Sequence, residues 1–308
     1  WINGDRVMNK ERYNFFGGDY YGLHVILSNY SQHELINPQL EWKLVCGDSV
    51  KAEGKIDSQK VFEIGDVREL GYISINLPAV EKPETFILNA IMTCGGYRAQ
   101  NSWPVFIYPK PGRIPHKIGV YDPVNIFDGL DEIFDTIPLE DESSLEGVSC
   151  VVASYLAPHI REYVKKGGKV FYVQRGKGSL PTEGVAFWRE GIIRRYEHPV
   201  VDEIKYEHWL DDLRFFSLST DTAFDTESII KMGFDSFKPV MRRYDCRKWT
   251  VSDYMIEISL GKGTIIASTL RFEGNMGKQP LGIKNNNFGL WLLDSALRYL
   301  ISGEGENG

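Results

Sequence analysis

Apolar and polar residues alternate over most of the first hundred positions. Leu23, Val25 and Leu27 fall on one face of an extended strand, as do Leu40, Trp42 and Leu44, then Ile73, Ile75 and Leu77. Phe86, Leu88, Ala90 and Met92 continue the period of two. Gly95-Gly96 supplies a turn, and Trp103, Val105 and Ile107 form the return strand of a hairpin. The same alternation places Trp42 and Trp103 in the core. Short strands at regular spacing, with no helical stretch between them, predict an all-β immunoglobulin-like sandwich over residues 1–112.

Residues 108–117 read YPKPGRIPHK, where three prolines and a glycine interrupt helix and ladder alike. A second domain is expected over residues 113–308. It opens with a short apolar strand at 117–121, after which Ile126, Phe127, Leu130, Ile133, Phe134 and Ile137 recur at helical spacing. Residues 148–154 (VSCVVAS) form a strand, Ile160, Tyr163 and Val164 mark a helix closed by Gly167-Gly168, and residues 169–173 (KVFYV) form a buried strand. Two β-runs flanking Gly261-Lys262-Gly263 read as a hairpin, and Leu290, Leu293, Leu297 and Leu300 give a final amphipathic helix. This alternation predicts an α/β flavodoxin-like domain with a β extension.

At 308 residues, with 43% hydrophobic and 25% charged side chains, the chain can bury two cores. Its formal charge is -7, and Lys+Arg against Asp+Glu stand at 11 to 13 through residue 112 and 24 to 29 beyond it. Neither half is basic, so nucleic acid and anionic membrane are poor partners, and a neutral sugar suits the balance better. No apolar run approaches the ~20 residues that span a bilayer. The chain opens at Trp1 without Met or a leader pattern, as a segment of a longer polypeptide would. Cys46, Cys94, Cys150 and Cys246 have neither metal-ligand spacing nor the density of a disulfide scaffold, and are compatible with a cytoplasmic or an exported protein.

Residues 29–44 (NYSQHELINPQLEWKL), 75–80 (INLPAV) and 101–109 (NSWPVFIYP) are similar to the immunoglobulin-like part of glycoside hydrolase family 2 proteins, the β-galactosidases, β-glucuronidases and β-mannosidases. Residues 163–176 (YVKKGGKVFYVQRG), 198–216 (HPVVDEIKYEHWLDDLRFF) and 260–272 (LGKGTIIASTLRF) resemble the class I glutamine-amidotransferase-like domain found in several glycosidases. The resemblance implies a C-terminal accessory region that braces a catalytic (β/α)8 barrel of the parent protein, an O-glycosyl hydrolase. That barrel would need ~250 residues of its own. The resemblance further implies an inactive fragment, with the barrel, a second copy or a carbohydrate as partner. A carbohydrate-binding module and an amidotransferase-like enzyme are the competing readings.

The residues themselves offer little catalytic chemistry. Cys150 lies inside an apolar run and reads as a buried thiol, and Cys246 lacks the glycine elbow of a nucleophile. Asp141-Glu142 and Asp211-Asp212 read as solvated acidic pairs, and His198 and His208 lack metal-site spacing. Residues 176–179 (GKGS) depart from a phosphate loop. No catalytic residue, metal or cofactor is therefore assigned. Trp188, Tyr206 and Trp209, in a polar stretch with Arg195, are the candidates for carbohydrate or interdomain contact.

Overall fold

The computed structural model describes residues 13–140, 145–185, 191–204, 213–274 and 282–303. The chain divides into two compact units, Trp1–Lys110 and Pro111–Gly308. Among the described residues the first unit has strands β1 (Asn14–Phe16), β2 (Tyr20–Ser28), β3 (Leu35–Ile36), β4 (Gln39–Cys46), β5 (Ser49–Asp57), β6 (Val61–Phe62), β7 (Val67–Asn76), β8 (Glu84–Cys94) and β9 (Tyr97–Tyr108). The alternation works as expected in β4, β7 and β8: Leu40, Leu44, Ile73, Ile75, Phe86, Leu88, Ala90 and Met92 are all buried in one core. Gly95, at φ 57°, turns β8 tightly into β9 and pairs Cys94 with Tyr97. Trp42 packs on this core and lies opposite Gly54 of β5, where a Cβ would come within 2.6 Å of the indole.

The strand pairing corrects the expected immunoglobulin-like sandwich. One five-stranded sheet runs β1-β9-β8-β4-β5, with β1 parallel to β9, while β2-β7 and β3-β6 form separate two-stranded ladders. Period-two patterning fixes which side chains face inward, but leaves open which strands pair. The β1–β9 pairing joins Asn14 to Phe106, a separation that no local signal reveals. Trp103 is a second correction, since it is 39% exposed. It sits on β9 ahead of residues 106–108, where β1 pairs among the described residues.

The second unit contains β10 (Ile118–Tyr121), β11 (Thr136–Pro138), β12 (Cys150–Ala153), β13 (Lys169–Val173), β14 (Thr182–Gly184), β15 (Gly191–Arg195), β16 (Thr222–Phe224), β17 (Ser236–Asp245), β18 (Thr250–Leu260) and β19 (Gly263–Ser268). Its helices are α1 (Pro158–Lys165), α2 (Thr226–Lys231) and α3 (Asn287–Ser302). Strands β11-β10-β12-β13-β19 are parallel neighbours; β18 then joins antiparallel and passes the sheet on to β17 and β15, and to β16 and β14. The expected flavodoxin-like domain is thus corrected to an α/β-like unit on one mixed sheet. The helix read between residues 126 and 137 is absent: a single 3-10 turn, Leu130–Glu132, precedes edge strand β11. Asn125 at φ 58° and Gly129 at φ 78° break the right-handed path that the apolar spacing implied.

One sheet face, with Val151, Ala153, Val170, Tyr172, Ile265 and Ala267, shares a core with Ile160 and Val164 of α1. The alternate residues face α3, where the Phe171 ring meets Phe272 edge-on at 5.2 Å. Asn286 fixes the start of α3: its Oδ1 accepts from Gly289 N, and its Nδ2 donates to Phe272 O at 3.0 Å. The β18–β19 hairpin docks on the end of α1 through Lys262 N to Lys165 O (3.1 Å) and Thr264 N to Gly168 O (3.2 Å). Gly263 is squeezed there, because a Cβ would collide with the carbonyl oxygens of Val164 and Gly168.

Backbone cannot retreat as a flexible side chain can, so Gly263→Ala is expected to destabilise the second unit by about 3 kcal/mol. The midpoint of urea unfolding measures this, and an unchanged midpoint would show that the hairpin is not pinned to α1.

Candidate functional site

Ligands of open α/β sheets sit at the carboxyl ends of the parallel strands. Here several side chains at that edge are tied into the fold. Asp122, after β10, accepts from Ile126 N at 3.0 Å and Phe127 N at 2.7 Å. Ser154, after β12, accepts from Val124 N at 3.1 Å. Gln174, after β13, accepts from Leu180 N (2.9 Å) and the Tyr172 hydroxyl (2.7 Å) and donates to Gly176 O and Leu180 O. Arg175 grips both oxygens of Glu273, and Arg271 bridges from Glu273 (3.7 Å) to Asp221 (3.1 Å). Burial pulls the Arg175 guanidinium below its ordinary value, against the opposing charge of Glu273.

Deeper in the sheet, on the α3 face, Glu257 of β18 is a carboxylate with three partners. It accepts from the Tyr299 hydroxyl at 2.6 Å and from His198 Nε2 at 3.1 Å, and pairs with Lys238 Nζ at 3.1 Å. His198 Nδ1 accepts from Val200 N at 3.3 Å, which leaves Nε2 as the donor toward Glu257. Burial would raise this carboxyl, but the three donors outweigh it and hold Glu257 at about 2. A cavity of about 140 Å³ adjoins the cluster, lined by Lys169, Ser259, Thr264 and Gly303 as well as Lys238, Glu257, Tyr299 and Leu300.

A third cluster lies on β15, β17 and β18. Arg194 faces Arg242 across the β15–β17 ladder, and Arg242 faces Asp253 across β17–β18. Arg242 forks onto the fully buried Asp253 (2.8 and 3.2 Å), which also accepts from Thr226 at 2.6 Å. The guanidinium carbons of Arg194 and Arg242 lie 4.9 and 5.4 Å from the Tyr196 ring centroid, and the Tyr196 and Tyr244 hydroxyls are bonded at 2.8 Å.

Of the contact residues expected from sequence, Trp188, Tyr206 and Trp209 lie outside the described residues, as do Asp141-Glu142, His208 and Asp211-Asp212. Arg195 ends β15 and donates to Val201 O (2.8 Å) and Asp202 (3.2 Å), which fastens the following turn. Cys150 is fully buried, and burial pushes its thiol up to about 12. Among the described residues, no three His, Cys, Asp or Glu side chains are placed to hold a metal ion. Sequence reasoning missed Glu257, hidden in an apolar strand, and Trp249, whose signal was a tryptophan beside two cations between β-runs.

The depressed Glu257 gives a pH signature. Its pKa lies below the ordinary value of 4.5, so its contribution is complete above that value and is lost as pH falls toward 2. Stability of the chain should therefore fall by about 3 kcal/mol over that window from this group alone. Glu257→Gln should flatten that limb of the stability curve while lowering stability at neutral pH, as denaturant titrations across the range would record.

Comparison with known proteins adds the following. A family model described as a domain of unknown function (DUF8488) matches residues 21–109, within the first unit. No curated protein sequence matches the chain. Among solved structures, a ThuA-like protein from Parabacteroides merdae is 12% identical over 63% of this chain and 93% of that one, with a TM-score of 0.37. A sialyltransferase from Photobacterium damsela is 13% identical over 54% of this chain and 36% of that one, with a TM-score of 0.23. A family 123 glycoside hydrolase from Clostridium perfringens is 12% identical over 54% and 34%, also at 0.23. At these scores the likenesses carry no argument about fold or chemistry.

Proposed function

We propose that this chain is a non-catalytic accessory region of a carbohydrate-active enzyme, of the kind its sequence resembles in glycoside hydrolase family 2, and that it braces a catalytic barrel. The observation that supports this reading is the use made of acidic groups at the carboxyl edge of the parallel strands. A glycosidase needs one carboxyl held protonated and a second, ionised one ~5 to ~9.5 Å away across an open sugar site. Asp122 instead orders a loop through backbone N–H groups, and Glu273 is held between two arginines. Asp294, whose carboxyl burial raises, faces Arg298 one turn along α3, and Arg298 reaches Gly112 O at 2.9 Å. These carboxylates join segments of the chain. A thiol nucleophile is disfavoured at Cys150 because burial there opposes the thiolate.

The chain is expected to hydrolyse no aryl β-glycoside above the buffer rate. A panel of nitrophenyl glycosides tests this, and turnover removed by a single Glu→Gln change would overturn the reading.

A further inference from the structure

The hairpin joining β17 to β18 ends in an indole that the fold leaves in water. Trp249 is 89% exposed, although it is held at φ 56°, a backbone region that side chains other than glycine rarely adopt. The turn that holds it is rigidly built. The Asp245 carboxylate accepts from Arg247 N at 3.0 Å and Lys248 N at 2.9 Å and pairs with the buried Arg243 at 3.0 Å, while Trp249 N donates to Asp245 O at 2.8 Å. The Lys248 N–H, foremost among these partners, keeps Asp245 ionised down to about 2. The tip therefore presents one aromatic ring and two cationic side chains on a preformed loop, at little ordering cost.

The sheet behind the tip carries matching chemistry. Arg242 and Tyr244 share a face with Arg194 and Val251 by register, and Arg242 lies three strand residues, about 10 Å, from the turn at Asp245. Like charges directly opposite on neighbouring strands are unfavourable. Asp253 neutralises Arg242, whereas the exposed Arg194 meets no carboxylate among the described residues, and neither does Lys248. On a chain of formal charge -7 this is a local cationic strip, edged by Tyr196, Tyr244 and Trp249.

We propose that this strip binds an acidic oligosaccharide: the Trp249 ring stacks on the C–H face of a pyranose, and Arg194 and Lys248 take the carboxylates of uronate units. The apolar element is small. Trp249 and the 41%-exposed Val251 stand among exposed Cys246, Arg247, Lys248 and Thr250, which suits one sugar face ringed by donors. A protein partner of standard size would require about 800 Å² on each side around an apolar centre. The guanidinium fork matches a carboxylate in shape as well as charge. The inference is independent of the bracing role, which could fail while this surface still binds.

Affinity electrophoresis of the whole chain in gels containing polygalacturonate, neutral galactan or polyglutamate tests the proposal. Polygalacturonate should retard the chain, galactan should not, and polyglutamate should do so much more weakly. Trp249→Gly suits the positive φ, so it should leave melting unchanged while weakening retardation about tenfold, and Arg194→Ala should give a similar loss. Raising salt from about 0.05 to about 0.5 M should weaken binding further. No retardation by polygalacturonate overturns the proposal. So does equal retardation by polyglutamate that is indifferent to Trp249→Gly, which would mark an unspecific cation patch or a site for an acidic protein.

Discussion

The antiparallel half of the second unit depends on two carboxylates buried in one strand. Asp253 and Glu257 both belong to β18, which separates the parallel strands from the rest of the sheet. An unpaired carboxylate could not remain ionised there, so each is surrounded by donors from other elements. Asp253 binds Arg242 of β17 and Thr226 at the start of α2; Glu257 binds Lys238 of β17, His198 beyond β15 and Tyr299 of α3. Two side chains thus specify the positions of four neighbouring segments. Such networks contribute less to net stability than their bond count suggests, but losing one partner costs about 3 to 5 kcal/mol, because the other charge is stranded.

Apolar packing alone would leave that half of the sheet free to slip. The β17–β18 ladder is irregular near Pro239 and Met241, where the register shifts twice. Side-chain bonds on either side of the irregularity, Lys238 to Glu257 and Arg242 to Asp253, pin the register across it. The parallel half is fixed differently, by backbone proximity: α1 ends against Gly168 and Gly263, which have no side chain to hold them apart.

How much of this the sequence disclosed follows from the range of each interaction. Short-range features were legible: the Gly95-Gly96 turn, the hairpin at residues 260–263, the helix closed by Gly167-Gly168, and the apolar stripe of α3. Strand partners were not, since Asn14 meets Phe106 and Val170 meets Ile265 without any local signal. The helical spacing at residues 126–137 misled because Gly129, at positive φ, interrupts it, and Asn125, also at positive φ, stands just before it. Glu257 was hidden for a related reason. A single acid in DYMIEISL reads as the polar face of a strand, whereas this strand is buried on both faces and the acid is consumed internally.

The same contrast separates the two kinds of polar chemistry in the second unit. Asp253 and Glu257 inside the sheet, and Asp122, Gln174, Arg175 and Glu273 at its carboxyl edge, meet partners of opposite charge or matching hydrogen-bond sense. At the β17–β18 tip the pairing stops one step short: Arg243 and Asp245 satisfy each other and in doing so hold Lys248 and Trp249 outward. Holding a non-glycine residue at positive φ costs of order 1 kcal/mol, and an indole in water forgoes the stabilisation of burial. The bond from Trp249 N to Asp245 O steadies the backbone, but the indole has no ring partner among the described residues to offset these costs. The surface is thus arranged for something outside the chain, which places its recognition chemistry on the antiparallel extension, away from the strand ends where an α/β enzyme would carry its catalytic groups.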